Sequence, residues 1–159
     1  WAGHAGGFQS GLSYTRMLPG RDLCFSILTN AIDGPVNSWS EGILSILKTF
    51  ESNGLPTART RPWTGRWWNM WHPCDLVPFS DRVLLASPGE ADPFAAAEEI
   101  SVVGKDRGVI SLAGGYSSHG EDARLVRGRD GYVREVWLGG QRWVSERRLK
   151  TEIKRKYVK

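Results

Sequence analysis

The chain has 159 residues, 40% of them hydrophobic and 24% charged, with a net charge of +4. Those figures belong to a globular protein and exclude a disordered one. No apolar run approaches the roughly 18 residues of a membrane-crossing helix, so no membrane span is expected.

The length suits one ordinary domain, or a small domain joined to a piece of another. Eight tryptophans must fill a core or line a binding cavity. Cys24 and Cys74 are too few for a disulfide framework. Cys24, in an apolar strand, reads as a buried thiol. The charge is uneven: residues 142–159 carry eight Lys or Arg against two Glu, a balance of +6 that leaves the remainder at −2. Basic tails bind nucleic acid or anionic lipid. A solvated helix is the favoured reading of this one, and nucleic acid is not an expected partner, because no stacking aromatics interleave with the charges.

In chain order, residues 3–11 read as a glycine-permissive strand. Leu12–Leu18 continues as a strand with Leu12, Tyr14 and Arg16 on one face. Pro19-Gly20-Arg21-Asp22 is a turn, and Leu23–Thr29 is a nearly continuous apolar strand. The three form an antiparallel meander. The chain starts within a strand, without the basic and apolar regions of a signal peptide, and so reads as one cut from a longer protein. Asp33 as N-cap and Pro35 in the first turn open a helix. Val36, Trp39, Ile43, Ile46, Leu47 and Phe50 give it an apolar face, and Asn53-Gly54 ends it. Residues 1–54 are one domain piece and 55–62 a polar linker.

From Trp63 the pattern changes to short strands: 64–71, 75–79, 82–86, 99–103, 109–112, 123–127, 132–137 and 138–144. A short alanine-rich helical turn follows Pro93. Gly128-Arg129-Asp130-Gly131 is a hairpin turn. About eight antiparallel strands at this spacing predict a closed barrel over 63–159, which also removes exposed sheet edges. A basic helix follows Ser145. The expected fold class is mainly β (α+β): a meander and one amphipathic helix, then a roughly eight-stranded antiparallel barrel.

The chemistry-bearing stretch is His4-Ala5-Gly6-Gly7. Glycines let backbone N–H groups approach a substrate carbonyl and hold a developing oxyanion, and an imidazole beside them can shuttle a proton near neutral pH. Residues 3–14, with Leu18-Pro19-Gly20-Arg21-Asp22 and the strand ending Leu28-Thr29-Asn30, resemble the closing section of the serine β-lactamase-like family. That family includes class C β-lactamases, penicillin-binding proteins, esterases and D-aminopeptidases. The resemblance covers residues 1–53, with motif, turn, strand and helix in the family's order. His4-Ala5-Gly6 matches its His-x-Gly triplet, and Gly7 stands where the family draws an oxyanion-hole N–H. Ala5 departs from the commoner hydroxyl residue, which removes one substrate hydrogen bond. The resemblance implies acyl-enzyme hydrolysis of an ester, amide or peptide, with the rest of the catalytic domain as partner and no cofactor. The family's nucleophile, in Ser-x-x-Lys, precedes the triplet. Ser45-Ile46-Leu47-Lys48 follows it and lies late in a helix, so Ser45 is rejected and the isolated chain is expected to be inactive.

Other constellations are weaker. Ser117–Asp122 contains a triad's residue types as neighbours, but triads converge from separate segments, so a polar loop is expected. His72 and Cys74 have no second pair at zinc-like spacing, and no metal is expected. Trp67 and Trp71 are the candidate ligand-binding residues of a barrel mouth; the competing reading makes Trp63, Trp67 and Trp71 core, with Trp68 outside. Trp63–Trp67 and Glu135–Gly140 resemble, more loosely, lipocalin-like barrels appended to members of the same hydrolase family. The alternative function is therefore a non-catalytic barrel that binds an apolar ligand or packs against a partner domain.

Overall fold

A computed structural model describes residues 1–90, 92–94, 97–112 and 119–157. The chain divides into two compact units, Trp1–Thr49 with Glu90–Asp92, and Phe50–Gly89 with Pro93–Lys159. The fold is mainly β: a three-stranded antiparallel sheet, an eight-stranded closed barrel and two helices.

In the first unit β1 (Ala2–Phe8), β2 (Gly11–Leu18) and β3 (Leu23–Thr29) pair in sequence order. Arg16 turns one face of this sheet toward α1 (Val36–Asn53): its Nε donates to Ser40 Oγ at 3.1 Å, and its guanidinium pairs with Glu41. By alternation Phe25 and Ile27 share that face, and the Trp1 ring meets Phe25 at 5.8 Å. The helix differs in detail from its sequence pattern. Trp39 N–H donates to the Pro35 carbonyl, so Pro35 sits at the helix mouth and Asp33 lies two residues short of the cap. Val36, Ser40 and Leu44 are buried while Trp39 is 43% exposed. The reason is Arg16: the helix presents the small Ser40 to the guanidinium, which turns Trp39 away. At the other end Gly54 takes the left-handed backbone (φ +84°), and its N–H reaches the Phe50 carbonyl at 2.8 Å, a conformation glycine adopts without a Cβ penalty. The stretch 55–62 is tied to the turn at Ser80. Thr57 N–H and the buried Thr60 hydroxyl both donate to the Ser80 carbonyl, at 3.2 and 2.8 Å.

The barrel strands are β4 (Gly65–Trp68), β5 (Pro73–Phe79), β6 (Arg82–Ala86), β7 (Glu98–Val102), β8 (Arg107–Leu112), β9 (Asp122–Arg127), β10 (Val133–Leu138) and β11 (Gln141–Val144). Each pairs with the next, and β11 closes on β4 through Val144 opposite Trp68. Two strands are shorter than the sequence suggests. Asn69 Oδ1 accepts the N–H groups of Trp71 and His72 at 2.8 and 2.9 Å. This side-chain turn ends β4 at Trp68 and leaves Trp71 in a connecting loop. Residues 138–144 are not one strand either: Leu138 pairs with Gln141, and Gly139 and Gly140, both at positive φ, form the two-residue hairpin turn that glycines favour.

Inward residues alternate along each strand. Trp63, Trp67, Cys74, Leu76, Val83, Ile100 and Val136 belong to one buried cluster. Trp63, from a short 3-10 turn ahead of β4, is wholly buried. Nearby, a Cβ on Gly108 would meet Ile100 Cγ2 at 2.6 Å, so the close approach of β8 to Ile100 depends on the missing side chain. The expectation of a buried Cys24 is not met. Cys74 is the buried thiol, its pKa pushed up by burial and then by Asp75 and Glu98. Cys24 is exposed, because β3 is an edge strand and Cys24 points away from α1.

Helix α2 (Glu146–Tyr157) follows Ser145, whose carbonyl accepts Leu149 N–H. A lattice of two arginines and two glutamates docks it on the barrel. Arg142 meets Glu135 and Glu152 at 3.1 and 2.9 Å, and Arg148 meets the same two at 2.7 and 2.8 Å. Hydrogen bonding from Arg142 is the main cause that holds both carboxyls below their ordinary range, Glu152 down to about 2. A depressed carboxylate stabilises the fold above its unfolded pKa and loses that contribution only as pH falls through the folded value. Partial exposure of Glu152 keeps the gain small.

Three outcomes follow from this packing. Ile100→Ala should cost about 2–5 kcal/mol in urea unfolding, whereas Leu28→Ala on the exposed sheet face should fall within about 0.5 kcal/mol of the parent. A disulfide reagent should modify Cys24 at once and Cys74 only on unfolding, read as two thiol-release phases. On acidification, the amide NMR signals of α2 should keep their docked positions through the ordinary glutamate range near pH 4.3 and shift only as pH nears about 2. Arg142→Ala should raise that midpoint.

Candidate functional site

The His4-Ala5-Gly6-Gly7 run lies in β1, an outer strand of the three-stranded sheet. Its register is continuous: His4 faces Thr15, Ala5 faces Tyr14, Gly6 faces Ser13 and Gly7 faces Leu12. Gly3 and Gly6 lie close to β2. A Cβ on Gly6 would lie 2.6 Å from Ser13 Oγ, and one on Gly3 would lie 2.5 Å from the Thr15 carbonyl oxygen. Alternation puts His4, Gly6 and Phe8 on the sheet face turned away from α1. Ser13, Thr15 and Met17 of β2 share that face, with Cys24, Ser26 and Leu28 of β3. Phe8 and Leu28 are 79% and 76% exposed there, and His4 is exposed as well.

Across this bare face the register aligns His4, Thr15 and Ser26, with the two hydroxyls bonded to each other at 2.8 Å. At the strand ends a shallow groove is lined by Gly6, Gly7, Phe8, Leu12, Ser13 and Leu28 among others. The structure thus brings Gly6 and Gly7 to one depression, and His4 lies outside its lining. Ser13 is the residue that sequence reasoning missed. Its hydroxyl covers Gly6, and the two-residue connection between Phe8 and Gly11 was the available signal, since it sets the register that puts Ser13 opposite Gly6.

What the strand can offer chemically is a set of backbone donors, an accessible imidazole and a serine hydroxyl. It offers no activated nucleophile. Among the described residues no serine or cysteine side chain bonds to a histidine or lysine. Ser45 sits in the second half of α1, where its carbonyl accepts the Thr49 hydroxyl.

The other sequence candidates are separated by the fold. Trp67 is buried in the barrel opposite Cys74, while Trp71 is 76% exposed in the β4–β5 loop. One ring therefore belongs to the core and the other to the surface, and Trp71 does not plug the barrel. Trp68 is half-buried. The indole N–H groups of Trp63, Trp67 and Trp143 lie inside the barrel without a protein acceptor. His72 and Cys74 do not converge: the His72 ring meets Trp143 edge-on at 5.2 Å, with Nδ1 3.2 Å from the Pro73 carbonyl oxygen, while Cys74 points inward. Within 117–122, Ser117 and Ser118 lie outside the described residues, His119 and Gly120 form a turn, and Asp122 is engaged with Arg107 at 3.1 Å. Ala95 and Ala96, in the expected alanine-rich turn, also lie outside the described residues.

Comparison with known proteins adds little to this geometry. No family model matches the sequence, and no curated protein matches it. Among solved structures, the crystal structure of SurE with D-Leu aligns over 89% of this chain and 34% of its own, at 18% identity and a TM-score of 0.41. The chain thus spans about a third of the length of the structure it matches, and a likeness at that identity and TM-score carries no inference about fold or activity.

Proposed function

We propose that residues 1–53 are the closing section of a serine hydrolase of the β-lactamase-like family, carried here with a C-terminal barrel. In the complete enzyme, hydrolysis of an ester, amide or peptide would proceed through an acyl-serine intermediate. The serine would come from a part of the catalytic domain that precedes Trp1. Gly7 N–H would hold the oxyanion, and His4 would border the cleft as a proton-handling or hydrogen-bonding group. Ser13 would stand beside Gly6 on the same face.

The observation that carries this reading is the sheet's incompleteness. Among the described residues nothing pairs with the outer edges of the three strands, and the face with His4 and Gly6 exposes Phe8, Met17 and Leu28. Unpaired edges and bare apolar rows invite association. A larger sheet continuing past β1, with further elements over the bare face, would satisfy both. The order of motif, turn, strand and helix along residues 3–53 supports the family over other hydrolases.

The test has two arms. The 159 residues alone should not hydrolyse chromogenic esters or β-lactams, and a fluorophosphonate probe should leave them unlabelled. Acylation of Ser45, abolished by Ser45→Ala, would sink the proposal. In the complete protein Gly7→Pro, which deletes one N–H, should lower kcat by about 10²–10³-fold, with His4→Ala also impaired.

A further inference from the structure

Helix α2 meets the barrel with its charged side. Arg148 and Glu152, one turn apart, pair with Arg142 and Glu135, so the polar side of the helix is the side tied to the barrel by ion pairs. Leu149, Ile153 and Tyr157 recur every four residues and form one stripe at helical periodicity. Leu149 is half-buried, but Ile153 and Tyr157 are 46% and 71% exposed. The outer two residues of the apolar stripe therefore stay open to solvent, where an amphipathic helix usually buries them.

The surroundings of the stripe are basic. At 100° per residue, Lys150 and Lys154 fall on one flank and Lys156 on the other. Lys156 Nζ lies 5.4 Å from the centre of the Tyr157 ring, a cation–π arrangement at the stripe's end. Lys150 is paired with Glu146. Among the described residues Lys154 and Lys156 have no acidic partner. The remainder of the chain is slightly acidic, so the positive field is concentrated at this end.

We propose that the outward face of α2 binds the surface of an anionic phospholipid bilayer, with Ile153 and Tyr157 entering the headgroup boundary and the flanking cations meeting phosphates. A bilayer surface supplies both chemistries this face presents, negative charge above and hydrocarbon just below. It is also the partner whose shape fits. The Arg–Glu lattice ties one side of the helix to the barrel, which disfavours a protein groove that wraps a helix on several sides, whereas a flat surface needs only the exposed side. A nucleic acid would take up the charge but gives Ile153 nothing apolar to bury against. This inference is independent of the hydrolase reading, since it concerns a helix outside residues 1–53.

The test is co-sedimentation of the full 159-residue chain with phosphatidylcholine vesicles, with and without phosphatidylglycerol, at low and high salt. Binding should require phosphatidylglycerol and weaken with salt. Ile153→Gln with Tyr157→Gln should lower the partition coefficient about tenfold or more, as should Lys154→Gln with Lys156→Gln, with helix content and Tm unchanged. Ile153→Leu with Tyr157→Trp should bind at least as tightly as the parent, which separates loss of the apolar stripe from loss of the helix. Absence of binding at low salt would overturn the proposal. So would binding indifferent to the Ile153 and Tyr157 changes, or tighter retention by duplex DNA than by the anionic vesicles.

Discussion

The main-chain seam between β11 and β4 is the contact on which the barrel depends. Seven of the eight strand junctions join strands that follow one another in the chain. The eighth brings the last strand back to the first through Val144 and Trp68. Without it, β4 and β11 would each present an open row of backbone donors and acceptors. The seam is short, and the neighbouring structure supports it. Trp143 and Val144 are buried beside it, and α2 begins directly after β11, held over this side by Arg142, Arg148, Glu135 and Glu152. Closure, core and helix docking are therefore one cooperative arrangement.

The first unit is built on the opposite principle. Its sheet does not close, and it has cover on one face, fixed by Arg16 reaching Ser40 and Glu41. The other face keeps a histidine, three hydroxyl residues and several apolar side chains in the open. A sheet with one sealed and one bare face is a surface made for further structure. That is why the hydrolase proposal draws on the bare face more than on any single side chain, and why the chemistry of His4 and Gly7 is assigned to a larger assembly.

The two bare surfaces differ in kind. On the sheet, the exposed residues are apolar or neutral, apart from His4, and lie between unpaired strand edges, which suits continued protein structure. On α2 the exposed apolar pair sits among uncompensated cations on a helix with its backbone bonds satisfied, which suits a charged, laterally extended partner. Charge and edge chemistry, more than hydrophobicity alone, distinguish what each surface would accept.

Much of this was readable in the residues themselves. Turn chemistry at Pro19–Asp22, Gly54 and Gly128–Gly131, together with period-two alternation, determined the meander, the helix end and a barrel of about eight strands, because each is a local preference that tertiary contacts reinforced. The residue pattern failed at two overlooked local turns and at one long-range contact. Asn69 folded back on Trp71 and His72 and ended β4, Gly139-Gly140 split an apparent strand, and Arg16 drew Ser40 inward in place of Trp39. That Cys24 is exposed while Cys74 is buried was settled by which strand lies at a sheet edge and which inside a closed ring. Composition alone determined that the C-terminal stretch is basic; only the folded chain decided which side of that helix faces out, because Glu135 and Arg142, brought close by the barrel, capture its charged side first.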